Sequence, residues 1–303
     1  MPFLPGVCYN DTPMEFTKMH GTGNDYIYVD LSREKVQDPA DLAVAISDRR
    51  TGVGSDGLIL IGPSKKADFR MTMFNADGSE GAMCGNGVRC IGKYVYERGL
   101  TRKKTIDLET KSGNVRLDLH VRGGKVGRVT VDMGPPRPVP ANFHVRADGT
   151  ATRLETDVAA GGAVYHGTVV SMGNPHFVVE VADPDAFPVA SVGPLLERHP
   201  DFPSRVNIEF VHVVGKNRVR QRTWERGSGE TFACGSGSCA TAFALHGAGK
   251  VGRRVDIDLR GGTLSFEIGP DGRVFMTGPA VEVFRGVWPN SSPSRSLKSP
   301  ARR

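Results

Sequence analysis

One pattern occurs twice in this chain at a constant offset, and nothing else in the sequence constrains the fold as much. The first copy reads Glu80-Gly-Ala-Met-Cys84-Gly85-Asn86-Gly87-Val-Arg-Cys90; the second reads Glu230-Thr-Phe-Ala-Cys234-Gly235-Ser236-Gly237-Ser-Cys239. The offset is 234 − 84 = 150 for the cysteine and 230 − 80 = 150 for the glutamate before it. Two equivalent Cys-Gly-x-Gly elements suggest two half-sites facing each other. A pair of opposed thiols is the minimum equipment for moving a proton from one face of a carbon to the other.

The register extends beyond the cysteines. Met19-His-Gly-Thr-Gly-Asn24 opens the first half and Met172-Gly-Asn174-Pro-His176 the second, and 174 − 24 is again 150. Each Gly/Asn turn feeds an apolar, β-branched run that reads as a strand. Asp38-Pro39 and Asp183-Pro184 both read as helix starts, with Asp capping and Pro in the first turn. Strands are expected at 58–61 and 206–211, then at 69–74 and 219–224, the latter pair leading into the cysteine elements. Helices are expected at 88–98 and 239–246. Each half closes on alternating strands, 113–120 with 128–133 and 262–268 with 273–277, and on Gly134-Pro135 or Gly278-Pro279. Many short strands with few helices give an α+β class. The Pro-rich stretch Pro135 to Pro140 is the expected linker. The predicted halves are 14–134 and 135–278, with extensions at 1–13 and 287–303.

At 303 residues, 39% apolar and 24% charged, the chain suits two globular domains. No stretch approaches a membrane span, and residues 1–13 lack the layout of a signal peptide. Five cysteines, four of them inside the repeated motifs, are no disulfide framework. They point to a reducing, cytoplasmic setting. Part of the net charge of +6 is local: residues 291–303 carry Arg295, Lys298, Arg302 and Arg303 and almost nothing apolar. We read that tail as disordered and solvated. No folded basic face interleaved with aromatics is legible, so no nucleic-acid partner is expected.

A cysteine just before a Gly-x-Gly turn at a helix start is expected to have a lowered pKa. Free backbone N–H groups and the positive end of the helix dipole favour thiolate and also seat an anion. The bland alternative is a small buried hydrophobe, and we assign Cys90 and Cys239 to packing in this way. The repetition argues for chemistry at Cys84 and Cys234. The cysteine spacings do not fit a zinc site, and neither motif ends as a phosphate loop does. The flanks, Phe74-Asn75-Ala-Asp-Gly-Ser-Glu80 and Trp224-Glu225-Arg226-Gly-Ser-Gly-Glu230, supply amides and a guanidinium suited to a zwitterionic amino-acid group. Each of these residues has a structural alternative: Asn24 and Asn174 as turn formers, Arg226 in a salt bridge to Glu225 or Glu230.

Taken together, Met19-His-Gly-Thr-Gly-Asn24-Asp, Phe74 to Glu80, Met83-Cys-Gly-Asn-Gly-Val-Arg89, Met172 to His176, Asn207-Ile-Glu-Phe210, Trp224 to Thr231 and Ala233-Cys-Gly-Ser-Gly237 resemble diaminopimelate epimerase, in that family's order and across nearly the whole chain. The resemblance implies two pseudo-symmetric α+β domains, each a curved, mostly antiparallel sheet or barrel wrapped around helices, with the site in the inter-domain cleft. It also implies that a last strand, about 279–286, returns to the first domain. The implied reaction is cofactor-independent and metal-free: interconversion of LL- and meso-2,6-diaminopimelate on the route to lysine and peptidoglycan. By the same resemblance Cys84 and Cys234 are the two acid–base groups. Gly85, Asn86, Gly235 and Ser236 hold the reacting carboxylate. Asn24, Asn75, Asn174, Asn207 and Arg226 hold the substrate, mainly its distal end. His176 and Glu225 tune the thiols. The expected partners are diaminopimelate and a second copy in a homodimer, with no membrane.

Two positions depart from the family pattern. Gly57 stands where the family often has Gln, and Ser236 stands where Thr is common. A proline or hydroxyproline racemase-like enzyme of the same superfamily would share the thiols, but Asn86 stands where those enzymes typically have His. A non-catalytic amino-acid-binding module and a redox dithiol protein are the readings from other classes.

Overall fold

The structure, a computed structural model, describes residues 13–144 and 150–289. Of the expected extensions at 1–13 and 287–303, all but Pro13 and residues 287–289 lie outside the described residues. The first half runs β1 (Met14–Gly21), β2 (Asn24–Asp30), α1 (Pro39–Ser47), β3 (Gly57–Gly62), β4 (Phe69–Asn75), β5 (Glu80–Gly81), α2 (Gly85–Glu97), β6 (Thr105–Thr110), β7 (Gly113–Arg122) and β8 (Lys125–Asp132). The second runs β9 (Arg153–Ala160), β10 (Ala163–Ser171), β11 (Pro175–Glu180), α3 (Val189–Glu197), β12 (Asn207–Gly215), β13 (Arg218–Glu225), β14 (Gly229–Thr231), α4 (Gly235–Gly247), β15 (Arg254–Leu259), β16 (Gly262–Ile268) and β17 (Val274–Pro279). β18 (Val281–Trp288) closes the described chain.

Strand pairing reproduces the duplication. The first ladder is β18-β1-β2-β3-β4-β6-β7-β8. The second is β9-β10-β11-β12-β13-β15-β16-β17. In both, the pairs are antiparallel except at two matched places: β2–β3 and β4–β6, then β11–β12 and β13–β15. An antiparallel β8–β17 pair joins the ladders. β18 takes the place in the first ladder that β9 holds in the second. It lies antiparallel to β1, with Met14 opposite Trp288.

The central strands of each sheet bury both faces, and their period-2 alternation sorts side chains between two helices. In β2, Tyr26 and Tyr28 face the cluster around α2, whereas Ile27 and Val29 face the cluster around α1. In β11, Val178 faces the α4 side and Phe177 and Val179 the α3 side. The α2 and α4 sides form one cluster, so the two halves share a core. Val88, Ile91 and Val95 of α2 are wholly buried in it, each contributing about 1.5–3 kcal/mol.

The α+β class and the pseudo-symmetric halves are as expected, but four details differ. The sheets curl without closing: among the described residues β18 has no pair with β8, and β9 none with β17. Both long helices begin earlier than predicted, at Gly85 and Gly235, because the cysteine itself is the N-cap and the Gly-x-Gly is the first turn. Asp183-Pro184 starts no helix. Asp183 accepts from Asp185 N–H in a local turn, and α3 begins at Val189. β18 runs past 286 to Trp288, because it pairs with the full length of β1.

Candidate active site

The two cysteine elements converge through their glycines. Cys84 caps α2 and accepts the Gly87 N–H at 3.4 Å; Cys234 caps α4 without a side-chain capping bond. A Cβ on Gly235 would lie 3.1 Å from Met276 Sδ and 3.9 Å from Gly85 Cα, and one on Gly85 would lie 2.9 Å from Met276 Cε. Glycine lets both helix starts meet over that methionine without displacing its side chain. Asn86 crosses the junction, its Nδ2 donating to Ala233 O at 3.3 Å. The two helix N-termini thus meet at one place, and the N–H groups of a helix start are a favourable setting for a carboxylate.

On the first side, the Cys84 thiol donates to Asn24 Oδ1 at 3.1 Å, and Asn86 Nδ2 donates to the same oxygen at 3.3 Å. Asp56 fixes the amide by accepting from Asn24 Nδ2 at 2.7 Å, and is itself held by Asp25 N–H and Arg49. The sequence reading missed Asp56. Its only signal was a place in the Gly54-Ser-Asp-Gly57 turn. At Gly57 itself a Cβ would lie 2.1 Å from Phe74 O, so β4 occupies the space where a glutamine would start.

On the second side, Asn174 Nδ2 donates to Ser236 Oγ at 3.3 Å, and His176 Nε2 pairs with Asn174 Oδ1 at 3.1 Å. His176 Nδ1 lies 2.8 Å from Glu209 Oε1, and both side chains are 0% exposed. Glu209 also accepts from Gln221 Nε2 and Thr223 Oγ1. A Cβ on Gly237 would lie 2.2 Å from Glu209 Oε1, so the second glycine of the motif lets α4 rest on this buried carboxylate. Glu209 lay inside a quoted segment without a role, because only the fold shows that it faces α4.

The thiols contradict one expectation. Helix-start N–H groups do pull both downward, but burial is the larger cause. Cys84 is raised by burial against the pull of the Gly87 and Asn86 N–H groups and of Tyr26. Cys234, 5% exposed, is pushed well above the usual thiol range by burial, then by the charges of Glu225 and Glu209. The Glu225 carboxyl is itself raised by burial, and Thr231 Oγ1 and the Cys234 thiol donate to it. Glu225 therefore bears on both thiols and holds Cys234 protonated more firmly.

The remaining predicted residues lie around this centre. Asn207 donates to Pro175 O at 2.9 Å and accepts Arg226 N–H at 2.9 Å, so both ends of its amide brace the backbone. Asn75 donates to Ser79 Oγ within its own hairpin. The exposed Arg226 side chain donates from Nη1 to Ser204 O at 2.9 Å. It forms no ion pair with Glu225 or Glu230, since Glu230 is taken by Arg222 and Arg260. Its turn is held by buried Glu197, which accepts from Trp224 Nε1, Gly227 N–H and Arg205. Glu197 carried no sequence signal. Cys90 and Cys239 are wholly buried in the shared core. Among the described residues no cluster of three or more His, Cys, Asp or Glu side chains could hold a metal ion, and no helix is long and apolar enough to cross a membrane.

This fold, with two cysteine-capped helix starts brought together, defines an epimerase-like α+β protein. The solved hydroxyproline epimerase from Agrobacterium vitis superposes with a TM-score of 0.67 at 18% identity, covering 93% of this chain and 94% of that one. A Bacillus anthracis protein of the PhzF phenazine-biosynthesis family does so with 0.64 at 17%, covering 91% and 99%. At these identities the likeness shows the fold. The profile of the diaminopimelate epimerase family matches residues 16–139 and 168–283. The diaminopimelate epimerase of Agathobacter rectalis is 52% identical over 280 residues, 90% of this chain and 98% of that protein. That of Methanococcus maripaludis is 47% identical over 274 residues, 90% and 99%. The chain belongs to the diaminopimelate epimerase family.

Proposed function

We propose that the chain epimerises one α-carbon of 2,6-diaminopimelate, interconverting the LL and meso forms on the route to lysine and peptidoglycan, with no cofactor or metal. The observation that carries this reading is the meeting of two cysteine-capped helix starts over Met276, in a chain of this family. The α-carboxylate is seated on the N–H groups of Gly85, Asn86, Gly235 and Ser236. The thiolate of Cys84 takes the α-proton, and the thiol of Cys234 returns a proton to the opposite face. The turnover ends with Cys84 protonated and Cys234 ionised, which is the starting state for the reverse direction. Charge that develops on the carboxylate in between is stabilised by two helix N-termini already oriented toward it.

The thiolate is assigned to Cys84 because Cys234 faces Glu225 and Glu209, which oppose its ionisation. Asn24, Asn75, Asn174 and Asn207 shape the binding site, with His176 and Glu225 setting the charge around the thiols. The unpaired guanidinium charge of Arg226 suits the distal carboxylate. The division into 14–134 and 135–278, with 279–286 returning, gives each half one helix-capping thiol.

Two further parts belong to the same proposal. A homodimer is supported by β18, which among the described residues pairs only with β1 and exposes Val281, Val283, Phe284 and Val287; multi-angle scattering should give twice 32.6 kDa. Work in the cytoplasm suits four free thiols in and beside the site. The direct test of function is incubation with LL-diaminopimelate in deuterated water. Meso product carrying α-deuterium is expected, with proline, alanine and lysine left unchanged. Racemised proline or unlabelled meso product would overturn the assignment.

A further inference from the structure

Arg89 lies in the first repeated motif and takes no part in the mechanism above, yet it is the largest wholly buried side chain, at 0% exposure. Its guanidinium donates to Pro279 O at 3.1 Å, Gly85 O at 3.3 Å, Met276 Sδ at 3.7 Å and Thr22 Oγ1 at 3.1 Å. All four partners are neutral. A buried guanidinium without a carboxylate partner is costly to keep, and this one sits in a built socket. A Cβ on Gly21 would lie 2.7 Å from its Nη2, and one on Gly278 would lie 2.9 Å from its Cζ. Thr22 meets it from a left-handed backbone, φ 56°, which a β-branched residue rarely adopts.

The contacts lead to the site. Thr22 Oγ1 donates to Asn86 Oδ1 at 3.3 Å, and Asn86 Nδ2 donates to Asn24 Oδ1 and to Ala233 O. Asn24 Oδ1 in turn accepts the Cys84 thiol. Arg89 thus fixes the amide that spans the two half-sites. It also puts a permanent positive charge one helical turn behind Gly85. The matched position in the second half, 89 + 150 = 239, is Cys239 and carries no charge.

We propose that Arg89 is a positioning residue: it orients Asn86 across the two half-sites, and its buried charge favours the thiolate at Cys84 over that at Cys234. This rests on the two-thiol reading. The other titratable groups facing Cys84 are Tyr26 on β2 and Glu225 on β13, with Asp56 behind Tyr26 and Asn24. Those facing Arg89, besides Cys84, are Cys90 on its own helix, Tyr28 on β2 and Cys239 on α4. Glu225 is the carboxylate whose charge opposes the Cys84 thiolate, and Arg89, whose own charge Cys84 favours, is the cation of opposite effect.

The test is the pH dependence of iodoacetamide alkylation, resolved cysteine by cysteine by peptide mass, on the intact protein. It needs no substrate, so it stands apart from the test of function: a shifted midpoint in a protein inactive on diaminopimelate would sink that reading and leave this one. In Arg89→Met the Cys84 midpoint should rise by about one unit, with turnover at least tenfold lower. In Arg89→Lys, which keeps the charge but not the fork, the midpoint should return to that of the wild type while turnover stays reduced. A folded Arg89→Met with an unmoved Cys84 midpoint overturns the proposal. Should Arg89→Met fail to fold, Arg89→Lys decides alone: a wild-type midpoint with reduced turnover supports the proposal, and a raised midpoint or wild-type turnover overturns it.

Discussion

At matched positions 150 apart, the first half carries Tyr26, Ile59, Asn75 and Arg89 where the second carries His176, Glu209, Glu225 and Cys239. The backbones agree strand for strand, and both cysteines cap 13-residue helices. The side chains packed around them do not agree. Cys84 has a phenol and an amide for neighbours and a buried cation one turn along its helix, with Glu225 a lesser influence, whereas Cys234 faces two buried carboxylates, one of them paired with His176. Duplication supplies two opposed acid–base groups, but a proton cannot pass between two identical ones with a preferred starting state. In the proposed mechanism the divergence supplies it: both thiols are raised, Cys234 the more firmly, so Cys84 is the side proposed to start as thiolate.

The hardest test of this comparison is removal of either thiol. Cys84→Ser and Cys234→Ser should each cost about 10²- to 10⁴-fold in epimerisation, since a serine hydroxyl stays protonated at neutral pH. The two should differ in exchange. If Cys84 is the resting base, Cys234→Ser still removes the α-proton, so wash-out of label from LL substrate should outlast epimerisation, and Cys84→Ser should abolish both. Equal loss of exchange in the two variants would break the asymmetry.

Arg226 comes next. Nothing in the first half matches it, since position 76 is Ala, which fits a substrate of which one end reacts and the other is only held. Losing a charge-assisted carboxylate partner costs on the order of 2–5 kcal/mol. Arg226→Met should therefore lower kcat/KM about 30-fold to several thousand-fold with the fold intact by circular dichroism. A near-silent Arg226→Met would leave the two-thiol chemistry standing but break the assignment of the distal contact.

Glu225→Gln sharpens the electrostatic side of the comparison. The ionised carboxylate raises both thiols, after burial for each, and it ranks higher among the causes at Cys234. A raised thiol pKa means that the proton is kept to higher pH. Neutralising position 225 should therefore move both alkylation midpoints down, by about one unit at Cys234 and less at Cys84. A larger shift at Cys84 than at Cys234 would reverse the proposed roles.

What the sequence made legible follows the same division. The register of 150 exposed everything that is duplicated: both cysteines, their glycines, Asn24 and Asn174, and the class of fold. The residues that differ between halves had no such signal. Asp56, Glu209 and Glu197 act on the site from other strands and helices, and only tertiary packing brings Glu209 under α4 or Glu197 behind the Arg226 turn. The direction of the thiol shifts was illegible for a related reason. A helix dipole can be read from a motif, but depth of burial cannot, and here depth wins. β18 escaped the residue-by-residue reading because its place in the first ladder is filled from the other end of the chain.

The smallest effect concerns the two cysteines assigned to packing, which also differ between halves. Cys90 lies within reach of the Tyr28 hydroxyl and the Val281 N–H, and burial, with those groups pulling the other way, leaves its thiol pushed up to about 11. Cys239 is also raised by burial, opposed by the Arg89 charge, with no hydrogen-bonding group beside it among the described residues. A serine at 90 inherits polar partners. A serine at 239 has only the carbonyl of Gly235, one turn back along α4, to accept its proton. An unpartnered buried hydroxyl costs about 1–3 kcal/mol, and the helical back-bond recovers part of that. Cys239→Ser should thus lose about 1 kcal/mol more than Cys90→Ser in urea unfolding, with both retaining epimerase activity and unmoved alkylation midpoints at Cys84. The opposite order of stabilities would mean that the Tyr28 and Val281 contacts at Cys90 contribute nothing.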